Sequence, residues 1–130
     1  MIINEAQPDV ILSNMSVNNN STATSTGVTL EHAIYFSVGY AFTFNASAAL
    51  GAYLELYADP AGANQNFSIG AKSNYVFRVP IAVPSGGGAV DGLVAMPAGA
   101  RFVKVLLRNR DTGAGIAIVG AYLYSHVKTA

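Results

Sequence analysis

Arg101-Phe-Val-Lys-Val-Leu-Leu-Arg-Asn109, then Arg110-Asp-Thr-Gly-Ala-Gly115, then Ile116-Ala-Ile-Val-Gly-Ala-Tyr-Leu-Tyr-Ser-His-Val127: two β-rich runs flank a polar turn that contains glycine. That pattern reads as a β-hairpin, with Asn109, Asp111 and Gly113 supplying the turn chemistry. In the first run Lys104 and Arg108 share a strand face with Phe102 and Leu106. In the second, strict alternation puts Val119, Ala121 and Leu123 on one side and Ile116, Ile118, Tyr122 and Tyr124 on the other. Both sides of that run are apolar, as in a strand covered twice. One of the covers is then available to another subunit.

Upstream, the same period recurs. Phe36, Val38, Tyr40, Phe42 and Phe44 alternate with Ser37, Gly39, Ala41 and Thr43 across Tyr35 to Phe44. From Leu50 to Ala58, alternate residues are Leu or Ala, and Tyr53, Glu55 and Tyr57 take the opposite face. The two tyrosines flanking a glutamate read as an interaction surface or as a solvated sheet face with cross-strand aromatics. Residues Asp59 to Asn64 form a turn, Gln65 to Gly70 a short strand and Lys72 to Asn74 another turn. A strand follows from Tyr75 to Val83, placed at a sheet edge or bend by Pro80. Pro84 to Gly92 reads as a loop, Leu93 to Met96 as a short strand, and Pro97-Ala98-Gly99 as a turn.

Near the N-terminus, Val10-Ile11-Leu12 reads as an edge strand or docking arm. Residues 13–29, rich in Asn, Ser and Thr, read as a loop or weakly paired arm. The expected organisation is an arm with an edge strand over 1–33 and a β-sandwich domain over 34–130. No segment has helical period. About seven or eight short strands with closely spaced turn signals predict an all-β antiparallel sandwich or jelly roll with an extended N-terminal arm.

Composition narrows the function. A chain of 130 residues is one domain on the usual prior. Charged residues are 11% and hydrophobic ones 52%, against roughly 25% charged in a typical domain. Such a surface is poorly solvated unless other subunits cover part of it. Residues 1–65 hold five acids and no base; residues 66–130 hold all seven bases and two acids, which is −5 against +5. That order could favour contact between unlike faces of neighbouring copies. No dense basic patch marks a nucleic-acid binder. The chain has no cysteine, and its first residues lack the basic and apolar regions of a signal peptide. No apolar run reaches the roughly 20 residues of a membrane helix.

No catalytic constellation emerges, and no cofactor or metal site is expected. His32 and His126 are the only histidines. Glu31 adjoins His32, but strand neighbours point to opposite faces. Asp59 to Asn66 lacks the carboxylate density of a calcium loop. Gly86-Gly87-Gly88 lacks the Lys-Ser/Thr that a phosphate loop needs.

The texture of "Leu-Glu-Leu-Tyr-Ala-Asp-Pro-Ala-Gly" from Leu54, and of "Pro-Ala-Gly-Ala-Arg-Phe-Val-Lys-Val-Leu-Leu-Arg-Asn-Arg-Asp-Thr-Gly-Ala-Gly-Ile" from Pro97, resembles the jelly-roll sandwiches of phage virion proteins. Capsid decoration (cement) proteins and fibre domains are among these. A similar ending occurs in galactose-binding-like modules, although this chain has no tryptophan. The resemblance implies a non-enzymatic bacteriophage structural protein. It would be made in the host cytoplasm, assemble with itself as a homotrimer and sit on the major capsid protein at the virion surface. The alternative it implies is a receptor- or glycan-binding module of a fibre, with Tyr53, Tyr57, Tyr122 and Tyr124 stacking on sugar rings. The expected interaction surface comprises Tyr53, Tyr57, Phe102, Lys104, Leu106, Arg108, Tyr122 and Tyr124, with no nucleic acid or membrane as partner.

Overall fold

The computed structural model describes residues 4–5, 8–59, 75–112 and 117–129. Their strands are β1 (Asn4–Glu5), β2 (Asp9–Asn18), β3 (Thr22–Thr24), β4 (Val28–Thr29), β5 (Ala33–Phe44), β6 (Ala52–Ala58), β7 (Tyr75–Ile81), β8 (Gly88–Met96), β9 (Phe102–Asn109) and β10 (Ala117–Thr129). No helix occurs among the described residues. The strands form two antiparallel sheets. In the first, β10 pairs with β5 on one side and with β1 and β2 on the other, and β8 closes the far edge. In the second, β9 pairs with β6 on one side and with β3 and β4 on the other, and β7 closes the edge. This order, 2-10-5-8 facing 3/4-9-6-7, is the double Greek key of a jelly roll. The expected fold class is what the chain adopts.

The core lies between the sheets. β5 contributes Phe36, Val38, Phe42 and Phe44, the side that alternation assigned to large residues. Leu54 and Leu56 of β6 and Val103, Val105 and Leu107 of β9 meet them from the second sheet. Phe42 and Phe44 pack edge to face with centroids 5.2 Å apart, a favoured aromatic geometry. Pro80 lies in β7, the edge strand, where a missing N–H disrupts no interior ladder.

The hairpin reading of residues 101–127 is corrected. β9 and β10 do not pair; they belong to different sheets. The chain reverses and also crosses the sandwich. A polar turn between two β-rich runs specifies reversal, but it leaves open whether the runs share a ladder. The crossing is held by side chains. Asn109 Nδ2 donates to Val17 O at 3.1 Å and Asn18 O at 3.2 Å, which joins the end of β9 to the end of β2 in the other sheet. Asp111 Oδ1 accepts from the amides of Ala49 and Leu50 at 2.8 and 2.9 Å. Both residues are buried, so these bonds satisfy polar atoms that would otherwise be costly, while Asp111 Oδ2 is buried with no hydrogen-bond partner among the described residues. Gly113 lies outside the described residues.

A second correction concerns the faces of β10. Gly120 adopts a φ of +61°, open to glycine without strain. The register with β5 slips between Val119 and Tyr122, as at a β-bulge. Ile118 therefore faces the core with Ala121 and Leu123, and Val119 points out with Tyr122 and Tyr124. Simple alternation cannot foresee that extra residue; Ile116 lies outside the described residues.

Residues 9–29 are extended, as expected, but they are paired along both sheets and not loose. β2 buries Ile11, Leu12 and Val17, while β3 and β4 lie on β9 and bury Ala23 and Val28. β8 runs from Gly88, well before the short strand expected at Leu93, and pairs with β5 along its whole length. The turns and strand expected within 60–74 lie outside the described residues.

Candidate interaction faces

The eight residues expected to form one interaction surface fall on two opposite faces. Tyr53, Tyr57, Phe102, Lys104, Leu106 and Arg108 lie on the outer side of the second sheet. Tyr122 and Tyr124 lie on the outer side of the first.

On the second sheet, Glu55 of β6 is the centre. Its neighbours across the ladders are Arg78 on β7 and Leu106 on β9. Glu55 is 0% exposed. The carboxylate is covered by the side chains that bond to it: Arg108 Nε donates to Oε1 at 2.7 Å, an Arg78 guanidinium nitrogen to the same oxygen at 3.2 Å, and the Tyr57 hydroxyl to Oε2 at 2.6 Å. Three strands are thus clamped by one carboxylate. Tyr57 and Leu106 are buried together, with Phe102 packed against them. Tyr53 lies beside Arg78 and Arg110, whose guanidinium carbons are each 4.4 Å from its ring centroid. Arg110 also donates to Leu50 O at 3.1 Å.

The electrostatics follow. Burial pushes the Glu55 carboxyl up, but hydrogen bonds from Arg108 and Tyr57 and the charges of Arg108 and Arg78 outweigh it, and its pKa is lowered. Burial and the bond to the Glu55 carboxylate push the Tyr57 phenol up. The Glu55 bond raises Arg108 further. With its ring buried and its hydroxyl bonded, Tyr57 presents no open ring face. The solvated-sheet reading of this strand gives way to a closed polar network. Glu55 was visible as the residue between two tyrosines. Arg78 and Arg110 were not expected in the surface; Arg78 stands opposite Glu55 in register, and Arg110 follows the end of β9.

On the first sheet the outer rows run from edge to edge. Val10, Tyr124, Gly39 and Leu93 stand in one row, and Tyr122, Ala41 and Asp91 in the next. Val119, Thr43 and Ala89 follow. Tyr122 and Tyr124 stack with centroids 6.4 Å apart and planes 12° apart. Gly39 forms the floor: a Cβ there would lie 3.1 Å from His126 Nε2 and 3.7 Å from Tyr124 Cβ, so the absent side chain is what lets His126 lie against the sheet. Ser37, opposite His126 in register, is buried, and its hydroxyl has no hydrogen-bond partner among the described residues. Leu93 is 60% exposed, and Val10 and Val119 are also exposed. A cleft of about 430 Å³ opens here, lined by Ala41, Thr43, Ala89, Asp91, Gly120 and Tyr122 among others.

His32 and Glu31 lie at an exposed turn, with 3.8 Å between Nε2 and Oε1. Glu31 also faces Arg101 at 3.6 Å. Among the described residues no group of three or more His, Cys, Asp or Glu side chains is placed to hold a metal ion, and no helix is long and apolar enough to cross a membrane.

No protein-family model and no curated protein sequence matches the chain. Among solved structures it is similar to dimeric latent PorU from Porphyromonas gingivalis, at 12% identity and a TM-score of 0.48 over 98% of this chain. It is similar to the K1 cleaved adhesin domain of Lys-gingipain from P. gingivalis W83, at 15% identity and a TM-score of 0.49 over 88% of this chain. It is also similar to the K3 cleaved adhesin domain of the same protein, at 16% identity and a TM-score of 0.44 over 87% of this chain. The chain spans 12% of the PorU chain and 66% of each adhesin chain.

Proposed function

We propose that this protein is a non-enzymatic assembly module that associates with copies of itself through the outer face of its first sheet, and that its setting is the surface of a phage capsid, as a decoration protein. The observation that carries the reading is that face: Val10, Leu93 and Val119 are exposed on it beside the stacked tyrosines. Exposed apolar area of this kind marks association surfaces, and aromatic residues are enriched in them. The small residues Gly39 and Ala41 on β5 and Ala89 and Ala95 on β8 leave it flat enough for a second sheet to approach. The low charge content, 11%, supports the same reading. Jelly rolls also build capsid and lectin domains, and the fold is compatible with this role.

Sedimentation of the purified chain tests the first part. More than one subunit is expected, and Leu93→Arg should yield folded monomers. Cosedimentation with preformed phage capsids tests the second. A stable monomer that ignores capsids overturns the reading.

The cleft favours one second reading, a glycan-binding module of a fibre. Tyr122 offers a ring, and Asp91 and Thr43 offer polar groups on a floor of small residues. Glycan-array binding lost in Tyr122→Ala would support it, and no binding to any glycan would count against it.

A further inference from the structure

On the outer face of the second sheet two guanidinium groups meet one buried carboxylate, and a third shares the Tyr53 ring with one of them. Arg78 and Arg108 bond to the same oxygen of Glu55, and Arg78 and Arg110 both lie 4.4 Å from the Tyr53 ring centroid. Among the described residues the ion pairs of Arg78 and Arg108 go to Glu55 alone, and Arg110 forms none. Asp111, the next carboxylate along the chain, is buried and bonded to the amides of Ala49 and Leu50. These three guanidinium groups and Glu55, counted by themselves, sum to 3 − 1 = +2.

Among the described residues the donors of these groups have few partners. A guanidinium has five N–H groups in a planar fork. Among the described residues Arg78 and Arg108 donate to Glu55 and Arg110 to Leu50 O. The side chains of Arg78 and Arg108 are 44% and 40% exposed, so the remaining donors reach solvent. The groups are also held in place, by the buried carboxylate and by the Tyr53 ring. Holding a binding group in position before the ligand arrives lowers the ordering cost of binding.

We propose that Arg78, Arg108 and Arg110 form a binding site for a tetrahedral dianion, a sulfate or phosphate group, held over the Tyr53–Glu55 floor. Guanidinium forks match the paired oxygens of such groups. A dianion cancels the excess charge of +2, whereas a carboxylate cancels half of it. Glu55 supplies the positioning: it fixes two of the guanidinium groups from below and, being fully covered, does not itself meet the ligand. The site lies on the face opposite the one proposed for assembly, so either reading can fail while the other stands.

Titrating inorganic sulfate, inorganic phosphate and acetate separately into the full chain at constant ionic strength tests the site, with the arginine Nε–H resonances as readout. Sulfate and phosphate should saturably shift Arg78, Arg108 and Arg110 while Arg101, paired with Glu31, stays still. Acetate should bind at least about fivefold more weakly. Arg110→Gln does not touch Glu55 and should weaken sulfate binding by about tenfold, with Arg101→Gln unchanged. A sulfated monosaccharide and O-phosphoserine separate the sources: tighter binding than the free ion assigns the group to a larger ligand, and equal binding assigns the free ion. Equal, unsaturable shifts of all four arginines, acetate binding as well as sulfate, or unimpaired binding by Arg110→Gln would overturn the proposal.

Discussion

The two outer faces of this sandwich are made from similar strands and solve the same problem in opposite ways. Each has tyrosines at alternate positions on a strand interior to its sheet: Tyr53 and Tyr57 on β6, Tyr122 and Tyr124 on β10. On the second sheet a glutamate sits between the tyrosines, and bases arrive on both neighbouring strands. The face closes over the Glu55 carboxylate, whose two oxygens are bonded within the chain. On the first sheet the rows beside the tyrosines hold Gly39, Ala41 and Leu93. The rings are half-buried, Val10, Leu93 and Val119 beside them are exposed, and the face stays open among the described residues. One buried charge with partners converts a sheet face from a surface seeking a cover into one that supplies its own.

The largest expected effect breaks that contrast at its centre. Glu55→Ala removes the shared acceptor and leaves two guanidinium groups and a buried phenol without it. A loss of about 2–3 kcal/mol is expected, seen as a fall of roughly 10 °C in the midpoint of thermal unfolding. Asp91→Ala, on the open face, should change stability by less than about 0.5 kcal/mol. Equal effects would remove the distinction between the faces.

Acid should act on the closed face selectively. The Glu55 pKa is lowered in the folded chain, so its stabilisation is fully present above the ordinary value of 4.5 and is lost as pH falls through the folded value. Chemical denaturation in steps below pH 5 should therefore show a steeper loss for the native chain than for Glu55→Gln. The Tyr57 phenol has the opposite sign. Its raised pKa gives stabilisation that is present below the ordinary value of 10.0 and lost as pH rises through the folded value. Tyr57→Phe should flatten the alkaline limb of the stability profile.

The open face has a smaller test. Gly39→Val places carbon atoms against His126 and Tyr124. A destabilisation of about 1 kcal/mol is expected, together with displacement of the His126 resonances and weaker self-association in the same sedimentation measurement.

How much of this could be read from the chain depended on whether the signal was local. The inward set of β5 needed only a period of two, and Pro80 announced its edge by lacking a donor. The partners of β9 and β10 were not legible. Pairing is decided by which sheet a strand joins, and the polar sequence 110–116 carries no record of it. The bulge at Gly120 moved Ile118 into the core because one glycine absorbed an extra residue. The charge order of −5 then +5 along the sequence did contain the network in outline. Glu55 meets Arg78 and Arg108, and Glu31 meets Arg101, so acids of the first half find bases of the second. What periodicity could not supply was that Glu55 would be the buried member.

The pairing of β1 with the end of β10 has a mechanical consequence. Asn4 stands opposite Thr129 and Glu5 opposite Lys128 in antiparallel register. A load applied through these two points acts across the ladder one rung at a time, as on a zipper, instead of shearing many bonds together. Resistance to pulling in that direction should be low, while a load entering at the Pro84–Gly87 turn and leaving through β10 must shear the β5–β8 ladder. The same proximity makes the domain easy to reconnect: a short linker joining the two strands, with the chain reopened at that turn, should give a circular permutant with both faces intact.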